Sequence, residues 1–180
     1  MSLSSLRPIL ALDAHQNLPM NNFLINHPYL LPLIKEIIVG TLLLLLVLIY
    51  HGSAINKVIM RFERLSTKNL AQHQYNWVFL HFYVAFNSIA LIHMFEVLLW
   101  ALFLIVLGLM DNVVAAIIFS GSCYTTVGFA PDSLPFGWKS LAFFIAFTGL
   151  FSLAWTTSVM INMTNVYRQA WSAKYKNKHP

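Results

Sequence analysis

The sequence predicts an all-α membrane protein with three spanning helices, and a short apolar helix and re-entrant loop between the second and third. Three observations predict it. Hydrophobic residues make up 58% of the chain and charged residues 9%, where a soluble domain has about 45–50% and about 25%. Mean hydropathy is +0.68, and the apolar residues fall in long runs that one water-soluble core could not hide. Lys and Arg cluster in the segments after the first and third runs and are sparse elsewhere.

Residues 1–36 read as an extracytoplasmic or interfacial lead-in. "HPYLLPLIKE" is punctuated by Pro28 and Pro32, and Arg7 is the single basic residue before Lys35. No apolar core of signal-peptide length precedes Met20, so no cleaved leader is expected. Residues 37–56, "IIVGTLLLLLVLIYHGSAIN", contain no Lys, Arg, Asp or Glu and match the ~20 residues needed to cross ~30 Å of hydrocarbon. Residues 57–76 form a basic linker with Lys57, Arg61, Arg64 and Lys68.

A second apolar stretch runs from Trp77 to Met110 and is interrupted by His81, His93 and Glu96. A third runs from Leu141 to Val166 and mixes Gly149, Ser152, Thr156, Thr157 and Ser158 with Phe, Leu and Ile. Small and hydroxylated residues in a membrane helix allow close packing or face water. The tail, 167–180, carries Arg168, Lys174, Lys176 and Lys178.

Basic residues beside spans are retained on the cytoplasmic side. The linker and the tail therefore belong inside and the N-terminus outside. This topology accounts for the isoelectric point of about 9.5 without a nucleic-acid partner; the basic ends meet anionic lipid headgroups at most. Cys123 is the single cysteine, so no disulfide forms within one chain.

On this topology Asp111 to Ser140 is an external connection. Asp111 is a suitable N-cap, followed by apolar residues for about three helical turns and then "SGSCYTTVGFAPD". An apolar helix too short to span, followed by irregular backbone, reads as a re-entrant segment. Such backbone is tolerated at membrane depth where it is buried in protein or lines a water-filled path.

"TTVGF", Thr125 to Phe129, resembles the selectivity filter of potassium channels, and the order of span, short helix, filter and span resembles the pore-loop channel superfamily. The closer likeness is to small bacterial two-transmembrane-type channels with an extra N-terminal span. It rests on His51, on "HMFEVLLWA" from His93 to Ala101, on Leu134-Pro135, on Trp138-Lys139, on Gly149, and on "WTT" from Trp155. It covers residues 38–166. Residues 77–166 would then be the pore domain.

The resemblance implies a homotetramer in a bacterial inner membrane, conducting cations with potassium preferred. A dehydrated potassium ion needs oxygens in place of its hydration shell, and a ring of backbone carbonyls with a threonine hydroxyl supplies them. Thr126, Val127, Gly128 and Phe129 would hold the ions, flanked by Thr125 and Ala130, with Pro131 and Asp132 at the outer mouth. Gly128 suits backbone angles that a Cβ resists.

Three residues depart from the family pattern. Ala130 stands for the second filter glycine, Phe129 for tyrosine and Pro131 for aspartate. The outermost ion site is therefore expected to be reshaped, and a weakly selective or non-conducting pore is the alternative. The third span would line the inner cavity with Thr156, Thr157 and Asn162, and Gly149 would offer a hinge.

His93 and Glu96 share one face of the second span. An ionisable residue at that depth is costly unless paired or hydrated, so Glu96 is read as a polar contact or a pH-sensitive latch, paired with His93 or His51. His51, His81 and His93 also leave open a histidine-ligated haem or metal. No cofactor beyond permeant potassium is expected. Paired repeats of a transporter, an arginine series of a voltage sensor, a soluble regulatory domain and an enzymatic constellation are not found in the sequence.

Overall fold

The computed structural model describes residues 30–128 and 133–176. These are all-helical, with no strand among them. Helix α1 spans Leu30–Ala71, α2 Tyr75–Val106, α3 Val113–Tyr124 and α4 Leu141–Tyr175. Of these, α1, α2 and α4 are long and apolar enough to cross a membrane.

The first helix is longer than the sequence pattern suggests at both ends. It is already helical at Leu30, the first described residue, so 30–36 are helical despite Pro32. A proline in the first turn removes an N–H that has no helical partner anyway. At the other end, 57–71 of the basic linker continue α1 without a break, and the connection to α2 is only the turn Gln72–Gln74. His73 closes that turn at φ 57°, where Gln74 N–H reaches Asn69 O at 2.8 Å and His73 N–H reaches Leu70 O at 3.1 Å. Those two bonds satisfy the last carbonyls of α1. The second helix ends alike: Gly108 has φ 65°, and Leu109 N–H donates to Leu104 O at 2.9 Å.

The two turns set the directions. The first helix runs antiparallel to α2, with Phe62 against Phe82 at 6.4 Å between ring centroids. It runs parallel to α4, and two glycines on α1 receive aromatic rings there. A Cβ on Gly40 would lie 2.3 Å from the Phe144 ring, and one on Gly52 would lie 2.8 Å from the Trp155 ring. At the same end Glu36 accepts a hydrogen bond from the backbone N–H of Ser140, the N-cap of α4. A carboxylate is well placed beside a helix N-terminus. Lys35 Nζ lies 5.4 Å from the centroid of Trp138 beside it.

The interior has two apolar clusters. One, toward the Glu36 end, joins Leu44, Val47, Trp100, Leu104, Phe119 and Ile145 of all four helices. The other, toward the basic end, joins Ile55, Phe62, Ile89, Val159 and Met163 of the three long helices. Between the two clusters lies a polar layer.

Candidate functional site

Helix α3 is seated between α2 and α4. Asn112, rather than the expected Asp111, is its N-cap: Asn112 is extended (φ −100°, ψ 115°) and its Oδ1 accepts from Ala115 N–H at 3.1 Å. Both residue types cap well; Asn112 holds the place because its own carbonyl accepts the first intrahelical bond, from Ala116 N–H at 2.9 Å.

The other end of α3 shapes the sequence-predicted filter. Thr126 N–H donates to Cys123 O and Val127 N–H to Ser122 O, each at 2.9 Å. This pair of bonds requires a left-handed residue at Thr126, and Thr126 has φ 61°. Glycine serves that role at Gly108, whereas a β-branched residue with positive φ is a genuine outlier. Gly128 N–H also reaches Ser122 O at 3.1 Å, and Gly128 has φ 74°. Left-handed backbone thus occurs at 126 and 128 and not at 127. Thr125 Oγ1 is bonded to its own helix, at Gly121 O, 2.8 Å. Thr125 to Gly128 are exposed, Val127 by 58%. Phe129, Ala130, Pro131 and Asp132 lie outside the described residues.

The polar layer lies directly behind this segment. Glu96 of α2 is fully buried. Its Oε1 meets Nδ1 of His51 on α1 at 2.5 Å, and its Oε2 accepts from the hydroxyl of Tyr124 at 2.6 Å. Tyr124 is the last residue of α3. Its oxygen is 2.7 Å from His93 Nδ1, and His93 Nε2 is 3.0 Å from Thr156 Oγ1 on α4. The tyrosine proton is committed to Glu96, so His93 donates from Nδ1 to Tyr124 and accepts at Nε2 from Thr156. The chain Thr156, His93, Tyr124, Glu96, His51 therefore links all four helices.

The sequence left Glu96 to pair with His93 or His51. The direct bond is to His51, and His93 reaches Glu96 only through Tyr124. Helical spacing places His93 and Glu96 on one face but does not choose their partners across the interface. Tyr124 was missed as a network member; its signal was a phenol on an apolar helix, which when buried needs a partner for its O–H.

His51, His93 and Glu96 each offer one ligand atom, all within 4.8 Å of one another. Two imidazoles and a carboxylate suit a transition metal, and a metal here would have to replace the His51–Glu96 bond. Haem fits less well: the His51 and His93 rings are 5.4 Å apart, with Glu96 and Tyr124 filling the space beside them. His81 lies elsewhere on α2, stacked on Trp77 at 6.2 Å.

Comparison with protein-family models, with curated proteins and with solved structures gives no match to this chain.

Gly149 is a packing contact. A Cβ there would lie 2.0 Å from the backbone oxygen of Tyr124, in the middle of an unbroken α4. The absent side chain lets the end of α3 touch α4, and that contact holds the exit of α3 in place. Thr156 turns inward to His93 rather than toward open space. Thr157 is exposed, with its hydroxyl on Leu153 O at 2.8 Å. Asn162 borders a separate groove between α1 and α4, with Ile59 and Glu63.

Proposed function

We propose that the chain is one subunit of a homotetrameric pore-loop cation channel that prefers potassium, with ions passing along Thr126, Val127, Gly128 and Phe129. The observation that carries this reading is the alternating backbone at Thr126 and Gly128, exposed at the end of a 12-residue apolar helix. A helix of that length covers only ~18 Å, too little to span, so α3 and the segment after it form a re-entrant loop.

Two further features support it. Exposed Thr125–Gly128 and the exposed face of α4, with Leu150, Leu153, Thr157 and Ile161, give four copies a shared surface around an axis. The carbonyl end of α3 carries partial negative charge, which favours a cation near it. The buried chain from His51 to Thr156 keeps that end fixed, so Glu96 and His93 are positioning residues. The basic end of α1 and the tail lie in the cytoplasm and the N-terminus outside, in a bacterial inner membrane.

Purified protein in liposomes tests the reading. Potassium flux under a concentration gradient, lost in Gly128→Ala, with a cross-linked species of four chains, is the expected outcome. Flux that is equal for sodium and potassium would favour the weakly selective alternative, which the Ala130-Pro131 ending motivates. A monomer with no flux above the variant would overturn the reading.

A further inference from the structure

A groove of about 350 Å³ lies between α1 and α2 at the basic end of the molecule, away from the candidate filter. Its polar lining is Lys57 and Arg61 of α1 with His81 and Ser88 of α2. The rest is apolar, including Val58, Phe62, Leu80 and Val84, and no Asp or Glu lines it. Lys57 and Arg61 are exposed, one helical turn apart on the same face. His81 is half-buried.

Depth identifies what such a groove meets. Glu36 marks one end of the bundle through its bond to Ser140, and Lys57 lies ~31 Å further along α1 at helical rise. That is one hydrocarbon thickness, so Lys57 and Arg61 stand where the inner leaflet places its phosphates. Toward the bilayer centre the two helices present Ile49 and Leu91, which are 69% and 68% exposed, to the acyl chains. A water-soluble anion would have no use for these apolar walls, and a zwitterionic lipid would leave two cations uncompensated.

We propose that this groove is a binding site for an anionic glycerophospholipid of the cytoplasmic leaflet, its phosphate held by Lys57, Arg61 and His81 and its chains lying along α1 and α2. The proposal rests on the membrane topology given above and not on ion conduction. Basic pockets between membrane helices on that side are suited to such headgroups. Because α1 also carries His51, a lipid held here grips the helix that anchors Glu96.

Native mass spectrometry of the detergent-solubilised protein, titrated with phosphatidylglycerol, phosphatidylcholine or inorganic phosphate, tests it without any flux assay. Phosphatidylglycerol should bind more tightly than phosphatidylcholine. The Lys57→Gln/Arg61→Gln double variant should weaken it about thirtyfold, from roughly fivefold per basic side chain near an anionic surface, with phosphatidylcholine unchanged. Arg64→Gln/Lys68→Gln, on the same helix but outside the groove, should leave phosphatidylglycerol binding intact and serves as the folding and charge control. Equal loss in both double variants would mean diffuse attraction and overturn the site. Equal binding of the two lipids would overturn headgroup recognition, and displacement of phosphatidylglycerol by inorganic phosphate would make it a site for a free anion.

Discussion

At the scale of single residues, the candidate filter is held by contacts that tolerate little change. Thr126 sits in a left-handed conformation that costs a residue with a Cβ about 1–2 kcal/mol, and an outlier of this kind points to function rather than to stability. Gly149 is the clearest steric case. Its Cβ would meet backbone on the neighbouring helix at 2.0 Å, and backbone cannot rotate away. Gly149→Ala is therefore expected to displace the end of α3, costing roughly 1–3 kcal/mol per subunit as overpacking does, and to lower potassium flux while far-ultraviolet circular dichroism still reports the helices. Wild-type flux in that variant would contradict the packing role.

The polar layer gives a graded test at the same scale. Tyr124→Phe removes one hydroxyl and strands His93 Nδ1, for about 1–3 kcal/mol. Glu96→Ala removes the centre of the network and leaves His51 buried without its partner, for about 3–5 kcal/mol. Thermal unfolding in detergent should rank wild type, Tyr124→Phe and Glu96→Ala in that order. A Glu96→Ala protein as stable as the wild type would mean that the buried carboxylate does not hold the helices together.

At the scale of elements, the spans were legible because hydrocarbon demands long apolar runs, and α1, α2 and α4 follow those runs. Their ends were less legible. The linker after the first run was read by its charge alone, yet Lys57, Arg61, Arg64 and Lys68 recur at intervals of four, three and four residues, the spacing of one helical face, and α1 continues through them. The short helix α3 was legible from its length and the turn residues after it. What joins the elements was not, because Glu36 and Ser140, or His51 and Glu96, are far apart in sequence and no local pattern links them. The glycines of α1 show the same limit: a lone Gly40 or Gly52 in a leucine-rich run does not announce the ring that packs on it. Gly52→Leu should separate α1 from α4 at Trp155, weaken the His51–Glu96 contact one residue away, and lower the unfolding temperature more than Gly108→Ala does, since nothing lies within 4 Å of a Cβ at Gly108. Equal effects of the two changes would mean that backbone strain outweighs helix packing.

At the scale of the whole molecule, one chain leaves its most unusual backbone exposed. Thr125 to Gly128 and the outward face of α4 are exposed among the described residues, and a single copy of the loop encloses no path. Four copies about one axis would bring those carbonyls together and cover the apolar flank around them, while α1 and α2 remain toward lipid, with the basic groove at the inner leaflet. In the proposed tetramer the buried network and the proposed lipid groove would take distinct places, with an ion path at the centre. The measurement that tests this most directly is the reversal potential of purified protein in a planar bilayer with potassium chloride on one side and sodium chloride on the other. A cation current whose reversal potential lies toward the potassium equilibrium potential, and which vanishes in Gly128→Ala, is the expected result. A current carried by chloride, or the same cation current in Gly128→Ala as in the wild type, would contradict a filter built on Thr126 to Phe129.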